Sequence, residues 1–234
     1  MTESRGSSEE KKIEGFEMKD VLDRSFYKPL SIAVALMFFH TFSGMSSVLS
    51  YTVDIFQKAG SSVQPNVASI IIATVQLIGT LASSTLMDRT GRRRLYLVSG
   101  VFATLSLVSV GAYSLVVSRN PSIDIKLYGW IPLLCLVIFI FSIALGLGPV
   151  AFVMTPEISP LKFRSVIMAV STLAMSLFGF LIIKMYDSMQ GVLGLYGLYW
   201  FYGGVSFLSI IFGVFVMPET KGMSLQDIQD AMAG

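Results

Sequence analysis

Apolar residues run along this chain in six long blocks, and the polar residues crowd into the gaps between them. A membrane-spanning helix needs roughly 20 mostly apolar residues. The blocks are Pro29–Phe56, Asn66–Met87, Leu95–Val117, Trp130–Met154, Ser165–Met185 and Leu195–Met217. Helix is the expected form for each, because hydrocarbon offers no water to backbone N–H and C=O groups and a helix satisfies its own. The first block is long and carries polar residues, which predicts tilt or a kink near Gly44. The second holds Gln76 near its middle, and the fourth is broken near its end by Gly146-Leu147-Gly148-Pro149. The gaps are short, so no soluble domain fits between the blocks. What remains is an N-terminal segment, 1–28, and a tail, 218–234.

Both end pieces carry a helical rhythm of their own. Ile13, Phe16, Met18, Val21, Leu22 and Phe26 recur near helical spacing among charges. In the tail, Ser224 can cap a helix whose Leu225, Ile228 and Met232 share one face. Each piece reads as a short amphipathic helix along the membrane or against the loops; a surface helix without chemistry is the simpler alternative. Residues 1–28 hold no apolar stretch of the kind a secretory signal needs. Insertion is therefore expected to begin at the first block.

Composition agrees with the pattern. The chain has 234 residues, 53% hydrophobic and only 14% charged, with a mean hydropathy of +0.71. A soluble domain is about 25% charged, and a globular surface of this size could not be covered with so little polarity. The net charge of +2 gives no reason to expect nucleic acid. A single cysteine, Cys135, excludes an internal disulfide.

Charge is scarce, so its placement is informative. Cytoplasmic loops are enriched in Lys and Arg. With the N-terminus inside, thirteen of the seventeen basic residues fall on the same side. They are Arg5, Lys11, Lys12, Lys19, Arg24 and Lys28, then Arg89, Arg92, Arg93 and Arg94, then Lys162, Arg164 and Lys221. Only Lys58, Arg119, Lys126 and Lys184 fall on the other. The expected architecture is an all-α integral membrane protein, a six-helix transmembrane bundle with both termini cytoplasmic.

Three charged hinges lie on that basic side. In Asp88-Arg89-Thr90-Gly91-Arg92-Arg93, an acid closes one helix, Gly91 permits a tight turn and arginines open the next helix. Carboxylate and guanidinium can pair bidentately. Glu157 precedes Arg164 by seven residues with Pro156 and Pro160 between them, and Pro218-Glu219-Thr220-Lys221-Gly222 ends the last block. Each hinge alone is explained equally well as a topology anchor. Together they suggest a latch whose pairs rearrange when helices rock.

These residues carry a family resemblance. Phe42-Ser43-Gly44 with Tyr51 and Ile55-Phe56, Asp88-Arg89-x-Gly91-Arg92-Arg93, Gly148-Pro149 with Glu157 and Arg164, and Pro218-Glu219-Thr220-Lys221-Gly222 stand in one order and spacing. From about Met18 onward the chain resembles the C-terminal half of a sugar porter of the major facilitator superfamily. Within that family it is most like insect facilitated trehalose transporters and the related facilitative glucose transporters. The resemblance implies that the six blocks are helices seven to twelve of a twelve-helix fold, with 1–28 as the end of a linker between two halves. It implies alternating access, two bundles rocking about a sugar site near the midplane. It also implies a cytoplasmic gate made by Asp88, Arg89, Arg92, Arg93, Glu157, Arg164 and Glu219.

The implied sugar site departs from the family. Two consecutive glutamines are replaced by His40 and Thr41, and Gly-Ile-Asn becomes Gly44-Met45-Ser46. Gln76 still offers a donor and an acceptor. Phe152 keeps the ring of a tryptophan without its N–H, and an asparagine-bearing stretch becomes Met175 and Gly179. The expected substrate contacts are His40, Thr41, Ser46, Gln76 and Phe152. With each neutral hydrogen bond worth about 0.5–1.5 kcal/mol, these changes either abolish affinity for the usual sugar or re-aim it. His40, the only histidine, reads as a pH-sensitive substrate contact or as a neutral interhelical bond. Gln76 reads as a substrate contact or as interhelical glue.

The sequence holds no metal cluster, nucleophilic triad, phosphate loop or heme motif, so neither an enzyme nor a cofactor is expected. The expected partners are the lipid bilayer, a small sugar such as trehalose or glucose, and an N-terminal six-helix half or another bundle. The family points to the plasma membrane. Two other readings stay open: a half-length membrane protein that binds or regulates another bundle without transporting, and a pH-dependent transporter of a different solute working through His40.

Overall fold

The structure, a computed structural model, describes residues 24–50, 65–120, 128 and 130–223. The amphipathic helices expected in 1–23 and 224–234, together with Tyr51 and Ile55-Phe56, lie outside the described residues. Every regular element among the described residues is helical. The first span is α1 (Arg24–His40), a π-helical turn (Thr41–Met45) and α2 (Ser46–Ser50). Then come α3 (Pro65–Thr90) and α4 (Arg92–Arg119). The next span is α5 (Trp130–Ser142), a second π-helical turn (Ile143–Leu147) and α6 (Gly148–Ile158), and the last element is α7 (Arg164–Phe215). Five of these helical runs are long and apolar enough to cross a membrane.

α7 is continuous where the apolar pattern predicts a gap between Met185 and Leu195. Its 52 residues would measure about 78 Å as one rod, over twice a hydrocarbon core of about 30 Å. The helix is broken at one residue, Gly194, with φ +68° and ψ 173°. A non-glycine residue rarely adopts this backbone. The run thus divides into a first arm, 164–193, and a second arm, 195–215.

Interior packing follows from the solvent. Lipid tails are as apolar as leucine, so helices associate through close van der Waals contact at small residues. A Cβ on Gly79 would lie 2.8 Å from that of Ala144, and one on Gly146 would lie 2.6 Å from the Leu95 carbonyl oxygen. These contacts bring α3 and α4 onto the second π turn. α4 packs mainly on α7, where a Cβ on Gly111 would meet the Trp200 ring at 2.4 Å. Hydroxyls inside the spans turn back on their own helices. Thr41 donates to the Met37 carbonyl (2.8 Å), Thr80 to Gln76 (2.9 Å), Ser142 to Ile138 (2.6 Å) and Thr155 to Ala151 (2.8 Å). Such bonds satisfy the hydroxyl without a neighbour.

The kink expected near Gly44 is present, with Gly44 at φ +96° inside the first π turn. A π turn inserts a residue into the helical ladder and is found mostly as a single turn. The ring of Tyr202, from the second arm of α7, covers this turn so closely that a Cβ on Gly44 would sit 2.7 Å from its Cδ2. Gly44→Ala should therefore combine left-handed backbone strain of about 1–2 kcal/mol with overpacking of about 1–3 kcal/mol. We expect a clearly lower unfolding midpoint in detergent. Gly204→Ala, where a Cβ meets nothing within 4 Å, should leave the midpoint nearly unchanged; equal midpoints for the two variants would contradict this account.

Candidate functional site

Two groups of residues stand out, a polar node at one end of the bundle and a cavity along it. The node forms where Gly91 joins α3 to α4 in a single residue, with φ +94° and ψ 153°. Gly91 N–H donates to the Met87 carbonyl (3.1 Å), and its own carbonyl accepts from Leu95 N–H (3.2 Å). The first N–H groups of a helix have no internal acceptor and form the positive end of its dipole. Glu219 supplies the acceptor for α4. Its Oε1 takes the Arg92 backbone N–H at 3.1 Å and that of Lys221 at 3.2 Å. A Cβ on Gly91 would lie 2.8 Å from Glu219 Oε2, so glycine is what lets the carboxylate approach.

Cations take the matching positions at helix C-termini. Arg93 Nε donates to the Gly213 carbonyl (2.9 Å) and its Nη2 donates to the Val214 carbonyl, both in the last turn of α7. Lys221 Nζ donates to the Arg89 carbonyl at the end of α3. An acid at one helix start and bases at two helix ends complement the dipoles of all three. At the centre, Arg92 Nη2 reaches Glu157 Oε1 at 3.1 Å and Asp88 Oδ1 at 3.4 Å. The other oxygen of Glu157 accepts the Thr220 hydroxyl at 2.6 Å, and that hydroxyl also lies 3.3 Å from Met154 Sδ.

The node thus assembles Asp88, Arg92, Arg93, Glu157 and Glu219, with Arg89 contributing its carbonyl. Asp88 and Arg92 pair within their own hinge, as sequence proximity suggests, but the second hinge does not pair with itself. Glu157 bonds Arg92 and Thr220, each more than sixty residues away. Arg164 stays apart, its Nε and Nη2 buried with no hydrogen-bond partner among the described residues. Its seven-residue separation from Glu157 spans a helix end and the turn through Ser159 and Pro160, not one continuous helix face. Thr220 and Lys221 join the node from the third hinge, although neither is an expected gate residue, and Met154 joins it unannounced, because a thioether inside an apolar helix carries no pattern.

Four of the five expected substrate contacts meet elsewhere. His40, Ser46, Gln76 and Phe152 line one cavity of about 390 Å³, together with Met45, Leu49, Thr80, Ile143, Ala144, Gly148 and Pro149. Both π turns border it. The His40 and Phe152 rings meet edge to face, centroids 5.6 Å apart at 74°. α6 can approach because residue 148 is glycine: a Cβ there would lie 3.3 Å from His40 Cε1. Thr41 is not among the lining residues; it is buried, and its hydroxyl is spent on Met37. Thr80 replaces it in the lining. It stands one helical turn beyond Gln76, so the period of α3 could have pointed to it.

Several side-chain atoms are buried without a hydrogen-bond partner among the described residues, and His40 Nδ1 is the one that belongs to the cavity lining. Buried polar atoms are nearly always paired, so an orphan calls for an explanation. The cavity otherwise offers apolar surface, one ring face and the amide of Gln76. A small molecule with hydroxyls and C–H faces suits such a mixture.

The node predicts unequal costs for its acids. Glu157→Gln removes the charge-assisted bond to Arg92 and should cost about 1.5–3 kcal/mol. Asp88 is 75% exposed, and Asp88→Asn should cost no more than about 0.5 kcal/mol, as exposed pairs do. Unfolding midpoints in detergent would show the difference, and equal shifts would argue against the node as the anchor of this end.

Comparison with known proteins gives the family. Residues 1–232 match the family described as sugar (and other) transporter. The chain is 38% identical over 217 residues to the facilitated trehalose transporter Tret1 of Drosophila mojavensis, covering 93% of this chain and 25% of that protein. It is 36% identical to Tret1 of Aedes aegypti, covering 93% of this chain and 27% of the relative. The chain therefore spans about a quarter of the length of these curated relatives. Among solved structures, a double-tryptophan mutant of XylE superposes with a TM-score of 0.80 at 23% identity, covering 93% of this chain and 45% of that one. The inward-open conformation of the xylose transporter XylE from E. coli superposes at 0.73 with 24% identity, covering 87% and 42%. At such identities the likeness is one of fold. This chain is an integral, multi-pass membrane protein of the sugar transporter family, not an enzyme.

Proposed function

We propose that the chain is the C-terminal half of a sugar transporter working by alternating access, and that the His40 cavity is its share of the sugar site. The observation that carries this reading is the buried, unpartnered Nδ1 of His40 in a cavity that also holds Gln76, Ser46, Thr80 and the Phe152 ring. A sugar hydroxyl supplies the missing partner, and Phe152 supplies an apolar face. Trehalose and glucose are the first sugars to test, trehalose because the Tret1 relatives carry its name. The second arm of α7 counts as a sixth span in this reading. The excess of basic residues puts both termini in the cytoplasm, and the plasma membrane is the membrane of the family.

The node then serves as the inner gate. Asp88, Arg89, Arg92, Arg93, Glu157 and Glu219 hold the cytoplasmic ends of the helices together, and Arg164 completes the gate set from beside them. Two guanidinium nitrogens of Arg164 are buried without a partner among the described residues, which suits an acid from beyond those residues. An N-terminal six-helix half is the natural source, since this chain covers 45% of the XylE chain it superposes on. That same fraction keeps a second reading in play, a half-length protein that binds another bundle without transporting. A histidine where glutamine is usual also leaves room for pH-dependent uptake of another solute.

Uptake of labelled trehalose and glucose into vesicles carrying the chain with a complementary bundle tests the proposal. We expect saturable uptake that loses about tenfold or more in affinity in His40→Ala, the effect of about 1.4 kcal/mol of lost contact. Saturable sugar binding without uptake would favour the binding module, and neither binding nor uptake would overturn the proposal. Uptake that rises or falls with pH in the parent and becomes flat in His40→Gln would favour the pH-dependent reading. For the gate, joint replacement Arg92→Ala and Arg93→Ala should raise cytoplasmic access to cysteines placed in the cavity, and unchanged access from both sides would count against it.

A further inference from the structure

Tyr202 is not among the cavity-lining residues, yet it holds the segment that forms one of the cavity walls. The first π turn and α2 carry Met45, Ser46 and Leu49 to the cavity. Their position depends on the bend at Gly44, where φ is +96°. Tyr202 grips this bend at two points. Its ring lies against the Gly44 backbone, 2.7 Å from where a Cβ would stand. Its hydroxyl donates to Ser47 Oγ at 2.9 Å, a bond between side chains 155 residues apart. Both residues are buried, Tyr202 at 1% and Ser47 at 0% exposure. Ring and hydroxyl thus fix the turn on either side of Met45 and Ser46.

We propose that Tyr202 is a positioning residue for substrate specificity, setting the Met45–Ser46–Leu49 wall against His40 and Gln76 through the Gly44 turn and the Ser47 bond. This rests on reading the cavity as the sugar site. Without the bond, the turn keeps its glycine but loses the constraint on how far α2 swings toward α3 and α6. The wall then meets a ligand in a spread of positions, and discrimination among sugars of different size weakens. The second arm of α7 thereby takes a role in selectivity although none of its side chains lines the cavity.

The test places a reporter on the wall and needs no transport. In a Cys135→Ala background, Ser46→Cys is modified by a small water-soluble maleimide, and the rate is followed. Tyr202→Phe, Ser47→Ala and the two together should each change that rate by at least about threefold, the scale of one neutral hydrogen bond. The rate at Thr80→Cys, on a different helix, should stay as it was. The double variant leaves no orphan hydroxyl, so its stability should return toward the parent while the altered rate persists. An unchanged rate at position 46 in all three, or a parental rate in the double variant, would overturn the proposal and leave Tyr202 as packing alone. Protection by trehalose or glucose in the parent reports separately on the site. If neither sugar slows modification, the cavity reading fails while the positioning result stands on its own.

Discussion

Hydrocarbon supplies no hydrogen bonds, so every polar group in these spans must find its partner within the chain. That constraint accounts for the helices, which close their own backbone ladders. It accounts for the serines and threonines that return to carbonyls three or four residues behind, as Thr41, Thr80, Ser142 and Thr155 do. It also accounts for the glycines at crossings such as Gly79–Ala144, because with polar partners used locally, helices are held together by close approach. Among the described residues, the atoms left without a partner include His40 Nδ1 in the cavity and Nε and Nη2 of Arg164.

The node and the cavity solve different problems with the same elements. At the charged end, carboxylates and cations sit on helix termini, where unsatisfied backbone groups already carry partial charge. Glu219 closes the start of α4 while Arg93 and Lys221 close the ends of α7 and α3. Such pairs hold while the helices stay in register and are lost when they shift, which suits a gate. Along the bundle, two π turns face one space. The extra residue in each turn brings Gly148 beneath the His40 ring and carries Ser46 to the wall. A rigid α-helix through either segment would not bend there.

Much of the fold was legible in the sequence. Apolar blocks longer than twenty residues mark spans because length and polarity alone decide what can cross a bilayer. Gly44 was readable as a kink, and the hinge arginines as residues of one charged end. The extent of α7 was not readable, since hydropathy dips between Met185 and Leu195 while the helix continues to Gly194. The pairings at the charged end were only partly readable, since Asp88 and Arg92 pair within one hinge. Glu157 and Arg164 are neighbours in sequence, but a helix end and a turn stand between them, and Glu157 reaches Arg92 across the bundle instead.

His40 and Thr41 draw the line most clearly. The sequence by itself determined that this chain is a bundle of spanning helices with a charged end, because transfer into lipid acts on each segment separately. It also determined which residue types were present to serve a site. Only the tertiary structure decided that His40 enters the cavity while Thr41, the next residue, turns back on Met37, and that Thr80 takes the place expected for it. Adjacent residues on a helix differ in direction by about 100°. Which direction faces a cavity depends on the crossing of helices far apart in the chain, set here by Tyr202 on Gly44 and by Gly148 beneath His40.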